Sequence, residues 1–417
     1  MRAIGFGLIA ALAFAVPAAA QRAPEIAGVA DRLVAQGSVP GIVVAVGRGD
    51  AAPAITARGR IGNDAHSPAA DENSLWRIYS MTKPITGIAA MILIEQGKLG
   101  LDDPISKYIP AFKDMKVLID PAKGLESRPA ARPITVRHLL THTAGLGYNI
   151  ITQGPLLNEY NRLGINPAAV SAALEVRSRP ARPASLEEFA NRVASLPLIA
   201  DPGAKWSYSI GLDVLGRVIE VAGGMPFDRF VTTRIFAPLK MQSSYWTVPA
   251  SEAPRLADNF ATLGGTRVVM DPGKTSAWLT PPSFPYGGAG LVMSARDYDR
   301  FLHMLLSGGQ LGGARILKPQ TVRLAMSNLL PAGADASLLN VNRESGVTLG
   351  FGAGGSVYLA DAPGGAGRGT FGWGGAAGTI GWVDPVHKLR VTVMINLFGD
   401  TPLRKDTTRA IFADLGK

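Results

Sequence analysis

The chain contains no cysteine. That excludes disulfides, thiolate metal sites and a cysteine nucleophile, and it leaves a large apolar core to hold the fold together. Charged residues make up only 18% of the 417 positions and aromatic residues 7%, whereas 47% are apolar, so a disordered polar chain is excluded too. After the first twenty residues no uninterrupted apolar run reaches the roughly 20 residues of a spanning helix. Familiar catalytic signatures are also missing. There is no G-x-S-x-G elbow. Gly273-Lys274-Thr275 is not a phosphate loop, because Val268 stands where the loop needs its first glycine. His138 and His142 are four residues apart but lack the glutamate of a zinc-protease motif, and they read as core or loop histidines.

The formal charge of +10 is spread thinly, mostly as arginines among proline and alanine at Arg128 to Arg137 and Arg177 to Arg182. Such a distribution reads as solvated loop charge and not as a nucleic-acid surface. Arg2, the apolar stretch Ile4 to Val16 and the small residues Pro17-Ala18-Ala19-Ala20 read as a secretory signal over 1–20, which implies an exported, periplasmic or secreted protein with no membrane span once it is removed.

The two ends of the remaining chain, 21–417, carry strand signals. Gly41 to Gly47 is a β-branched run with Ile55 to Gly59 as its hairpin neighbour, while Thr379 to Val383 and Leu389 to Asn396 flank a turn at Asp384-Pro385. Leu389, Val391, Val393 and Ile395 alternate onto one face. Ala30 to Gln36 and Asp406 to Leu415 read as helices. The middle is helical instead: Ile85, Ile88, Ala89 and Ile92 recur at helical spacing before Gly97, and Leu212, Leu215, Gly216 and Ile219 do so before Gly223-Gly224. The expected fold is α/β in the α+β sense. An antiparallel sheet built from both chain ends (21–79 and 285–417) carries flanking helices and an inserted, largely helical domain over 80–284.

Three segments carry chemistry. Ser80-Met81-Thr82-Lys83 is the only S-x-x-K, placed where the helix containing Ile85 begins, so that both side chains share the first turn. The helix N-terminus favours negative charge developing there, and Pro84 is tolerated in a first turn. Tyr208, in Pro202-Gly203-Ala204-Lys205-Trp206-Ser207-Tyr208-Ser209-Ile210, is a phenol able to relay a proton just before the second helix. Phe371-Gly372-Trp373-Gly374-Gly375-Ala376-Ala377-Gly378 is a small-residue stretch that lets a substrate approach the backbone, with an edge-strand amide as oxyanion donor.

Together, and in this order, the three segments resemble the serine β-lactamase and penicillin-binding-protein superfamily, in particular class C β-lactamases and the related carboxylesterases. Thr135 to Leu146 is similar to a structural stretch of the same family. The resemblance implies Ser80 as nucleophile, Lys83 and Tyr208 as its catalytic partners, and Trp373, Gly374, Gly375, Ala376 and Ile210 around the substrate, with no cofactor or metal. Two departures bear on the substrate. Trp373 takes the place of the lactamase lysine, and Ile210 that of an asparagine, so a small-molecule ester is expected in place of a β-lactam. The rival expectations are a β-lactamase or D,D-peptidase and a non-catalytic ligand-binding member of the fold.

Overall fold

The computed structural model describes residues 23–341, 346–398 and 403–416; the expected signal segment 1–20 lies outside the described residues. Helix α1 (Pro24–Ala35) opens with proline in its first turn and buries Ile26, Val29, Ala30 and Leu33 on one face. It starts before the expected Ala30, because the apolar face continues back to Ile26. Strands β1 (Gly41–Arg48) and β2 (Ala54–Gly59) form the expected hairpin. The principal helices are α2 (Thr82–Glu95), α3 (Gly211–Gly223) and α4 (Ala295–Leu306). Strands β3 (Leu349–Phe351), β4 (Ser356–Tyr358), β5 (Phe371–Gly374), β6 (Ile380–Asp384) and β7 (Leu389–Met394) follow, and α5 (Leu403–Asp414) comes last.

One antiparallel sheet runs β3-β4-β5-β6-β7-β1-β2, so the two chain ends meet where β7 pairs with β1. Its outer face is covered by α1 and α5, against which Leu389, Val391, Val393 and Ile395 pack. The Asp414 carboxylate of α5 accepts the Glu25 and Ile26 amides, satisfying two orphan donors at the start of α1. The inner face meets α4: a Cβ on Gly381 of β6 would stand 2.2 Å from the Tyr298 ring, so glycine is what lets this helix approach. With both faces covered, every residue of β7 is buried, Arg390 included. The arginine is held by Asp299 Oδ1 at 2.8 Å and by the Gly49 and Ala51 carbonyls.

The segment over 80–284 is only partly helical. It also holds a hairpin, Asn259–Leu263 with Thr266–Asp271, joined in parallel by Leu397–Phe398, and Ser244–Tyr245, which pairs with Val292–Ser294. These strands are short, which is why periodicity did not reveal them. Helix α2 runs through the middle of the molecule, with every residue from Thr82 to Leu93 buried. Apart from Thr82, Lys83 and Thr86, the buried residues of this central helix are apolar or glycine. Gly87 lets the Ala353 carbonyl lie against it, where a Cβ would stand at 2.0 Å. Among the described residues no helix is long and apolar enough to cross a membrane.

Candidate active site

Ser80 sits at the centre of a single-turn 3-10 helix, Tyr79–Met81, that runs into α2. Tyr79 just before it has φ +41°, a left-handed backbone that a bulky side chain adopts only when its surroundings enforce it. Here the ring is buried edge-on against Trp278, and its hydroxyl accepts from Asn259 Nδ2 at 2.8 Å. The turn leaves Ser80 9% exposed, while its neighbours Tyr79 and Met81 are more deeply buried.

Lys83, one turn along α2, is fully buried. Its Nζ donates to Ser80 Oγ at 3.2 Å and to the Gly288 carbonyl at 2.9 Å. It also lies over the rings of Tyr208 and Tyr148, at 4.5 and 5.4 Å from their centroids. Asp213 of α3, itself fully buried, accepts the Gly288 amide at 2.8 Å, so Gly288 bridges carboxyl and amino group, its N–H on one and its C=O on the other. Gly288 must be glycine, because a Cβ would stand 2.6 Å from Asp213 Oδ2. Burial pushes the Asp213 carboxyl up to about 7, against the opposing pull of Lys83. Its Oδ2 has no partner among the described residues.

Tyr208 comes from the loop before α3. Its hydroxyl donates to Ser80 Oγ at 2.6 Å and faces the Trp373 indole N–H at 3.4 Å. The ring is wedged among His142, Tyr148, Trp206 and Trp373, with centroids 4.8 to 6.3 Å away. Burial, then the neighbouring Lys83, drives His142 well below the usual histidine range, so it stays neutral, and its Nδ1 meets Ser209 Oγ at 2.9 Å. Burial, then Tyr208 and Asp213, pushes the Tyr148 phenol up.

The third segment is a strand and a turn. Phe371 and Gly372 pair on both sides, with β4 and β6, but β4 ends there, so Trp373 and Gly374 pair only with β6 and form a local edge. The small-residue stretch expected to offer an edge-strand amide is therefore an interior strand that becomes an edge at the site. Glycine composition hid it. Gly375 lies against the turn bearing Ser80: a Cβ would stand 2.4 Å from the Ile78 carbonyl. Ala376 beside it is exposed, and among the described residues its amide has no acceptor within the protein.

Ser80 and Lys83, Tyr208, and Trp373 thus converge from three separate segments, with Gly374, Gly375 and Ala376 alongside. Ile210 does not join them. Its side chain is completely buried in the core and offers no surface to a ligand, while its amide bonds the Gly147 carbonyl. Asp213, Gly288 and Tyr148 were not singled out in the sequence, because no motif links them.

The family model described as Beta-lactamase matches residues 26–415. Esterase EstB of Burkholderia gladioli is 31% identical over 399 residues, covering 91% of each chain. Monacolin J acid methylbutanoyltransferase of Aspergillus terreus is 28% identical, covering 80% of this chain and 79% of its own. Among solved structures, EstCE1, a hydrolase with promiscuous acyltransferase activity, superposes with a TM-score of 0.74 at 27% identity, covering 94% of this chain and 98% of its own. A match over nearly the whole described chain, on a site in which a serine is held between a lysine and a tyrosine, makes this chain a member of the Beta-lactamase family, with esterases and acyltransferases of the serine hydrolase superfamily among its relatives.

Proposed function

We propose that this protein is a serine carboxylesterase that cleaves esters of short acyl groups through an acyl-enzyme on Ser80. The observation that carries the reading is that one hydroxyl, Ser80 Oγ, is held at once by Lys83 Nζ at 3.2 Å and Tyr208 Oη at 2.6 Å. Once the Lys83–Tyr208 pair has given up one proton to solvent, it takes the Ser80 proton, and the oxygen attacks the ester carbonyl. The amides of Ser80 and Ala376 hold the developing oxyanion. Tyr208 hands a proton to the departing alcohol, and a water activated by the same pair releases the acid. Chemistry of this kind needs no cofactor.

A β-lactamase or D,D-peptidase reading is weaker. A β-lactam carboxylate entering beside Trp373 meets an indole, not an ammonium, and a charge-assisted hydrogen bond of that kind contributes about 1.5 to 3 kcal/mol. A neutral ester forgoes nothing there. A purely binding role is opposed by the intact Ser80, Lys83 and Tyr208 arrangement. Export by the 1–20 segment remains part of the proposal, and amino-terminal sequencing of the secreted protein tests it. Comparing kcat/KM for p-nitrophenyl butyrate and nitrocefin tests the substrate class. The ester is expected to lead by roughly tenfold to a hundredfold; a preference for nitrocefin overturns the esterase assignment.

A further inference from the structure

A cleft adjoins the site at Tyr208. It measures about 760 Å³ and has Tyr208 as its inner wall. Leu118, Ile151, Leu156, Ile199, Trp206 and Leu338 are the large apolar side chains that line it. Lys205 is the one charged residue among those lining it, and its backbone pairs with that of Asp335, so a residue of opposite charge stands next to it. Of the residues lining it, Ile151 and Leu338 are 46% and 55% exposed. Most large apolar side chains in this protein are buried. Two exposed ones lining a single cleft give it an edge suited to an apolar ligand.

The side of the reacting ester that faces this cleft follows from proton transfer. An alkoxide cannot depart without a proton, and the donor must touch its oxygen. Lys83 is fully buried and already occupied by Ser80 Oγ and the Gly288 carbonyl. Tyr208 is half-buried, bonded to Ser80 Oγ on one side and lining the cleft on the other. The alcohol therefore leaves past Tyr208, and its carbon skeleton runs into the cleft.

We infer that this cleft is the alcohol subsite, and that the preferred substrates are short-acyl esters of bulky, uncharged apolar alcohols. The inference rests on the esterase reading and sharpens it: the short group is the acyl part, and the large group is the alcohol. A volume of this size suits a group of ten or more carbons better than ethanol. The same cleft admits the alcohol in reverse, so an apolar alcohol competes with water for the acyl-enzyme: its oxygen attacks the acyl carbonyl, its proton passes to Tyr208, and Ser80 is released with its own proton restored.

The test compares 2-naphthylmethyl butyrate with ethyl butyrate, two alkyl esters of one acid, on the wild type and on Ile151→Glu/Leu338→Glu. Both substitutions fall on exposed positions and place charge on the cleft lining. The ratio of the two kcat/KM values is read on one enzyme preparation, so partial loss of active protein cancels. In the wild type the ratio should favour the naphthylmethyl ester by roughly tenfold or more, and the double variant should lose most of that preference. In addition, 2-naphthylmethanol should inhibit ethyl butyrate hydrolysis competitively in the wild type and less well in the variant. A ratio that is the same in both proteins overturns the subsite while leaving the esterase reading in place. If neither ester nor p-nitrophenyl butyrate is turned over, both fall together.

Discussion

Asp213→Asn should make the protein's stability less sensitive to pH. In the folded protein the Asp213 carboxyl is raised from 3.8 to about 7, mainly because burial disfavours its charged form. Between those values the native state holds a proton that the unfolded chain has released. Stability therefore falls as the pH rises through this window, and the loss is complete only above pH 7. A gap of about three pH units amounts to about 4 kcal/mol, of which roughly 3 kcal/mol falls between pH 5 and pH 8. Asparagine keeps an oxygen for the Gly288 amide but cannot ionise, and its unpaired N–H₂ costs about the same at every pH. Lys83 and Tyr148 face the same carboxyl and are unchanged in the variant. Urea unfolding of both proteins at pH 5 and pH 8 isolates the charge. The variant should gain on the wild type by about 3 kcal/mol at the higher pH. A stability difference that stays constant across the two conditions would refute a strained, buried carboxyl beside Lys83.

Lys83→Ala and Tyr208→Phe should each lower ester turnover by orders of magnitude, with the double variant little worse than either, because the two groups serve one proton transfer; near-normal rates for Tyr208→Phe would reduce the phenol to a packing role. Gly375→Val should abolish activity, since its Cβ would stand 2.4 Å from the Ile78 carbonyl and 2.2 Å from Thr379 Oγ1, and a steady-state assay beside a thermal melt separates this displaced oxyanion strand from global unfolding. Arg77→Met should destabilise by about 3 to 5 kcal/mol in urea, because it leaves the Asp271 carboxylate, now 2.6 Å from the guanidinium and fully buried, without its partner.

What the sequence disclosed was what lies close together along the chain. S-x-x-K is legible because Ser80 and Lys83 share a helical turn, and the terminal strands are legible because β-branched residues alternate on β7. The inner sheet was harder to see. Phe371–Gly374 is glycine-rich, so its strand character comes from pairing with β6 and not from propensity. Helix α2 shows an apolar stripe in its periodicity but is buried on all sides, because neighbours from distant segments enclose it. Ile210 illustrates a limit of motif matching. It stands two residues after Tyr208, yet it caps the start of α3 and its side chain turns into the core. Asp213 and Gly288 are 75 residues apart and meet only in three dimensions.

The central claim is that Ser80 is the covalent nucleophile, and labelling it is the most direct test. The protein is treated with a fluorophosphonate probe, the intact mass is measured, and the modified peptide is sequenced. One adduct per chain is expected, on Ser80, with none on Ser80→Ala although that variant stays folded. An adduct on another residue, or full labelling of the alanine variant, would contradict the account.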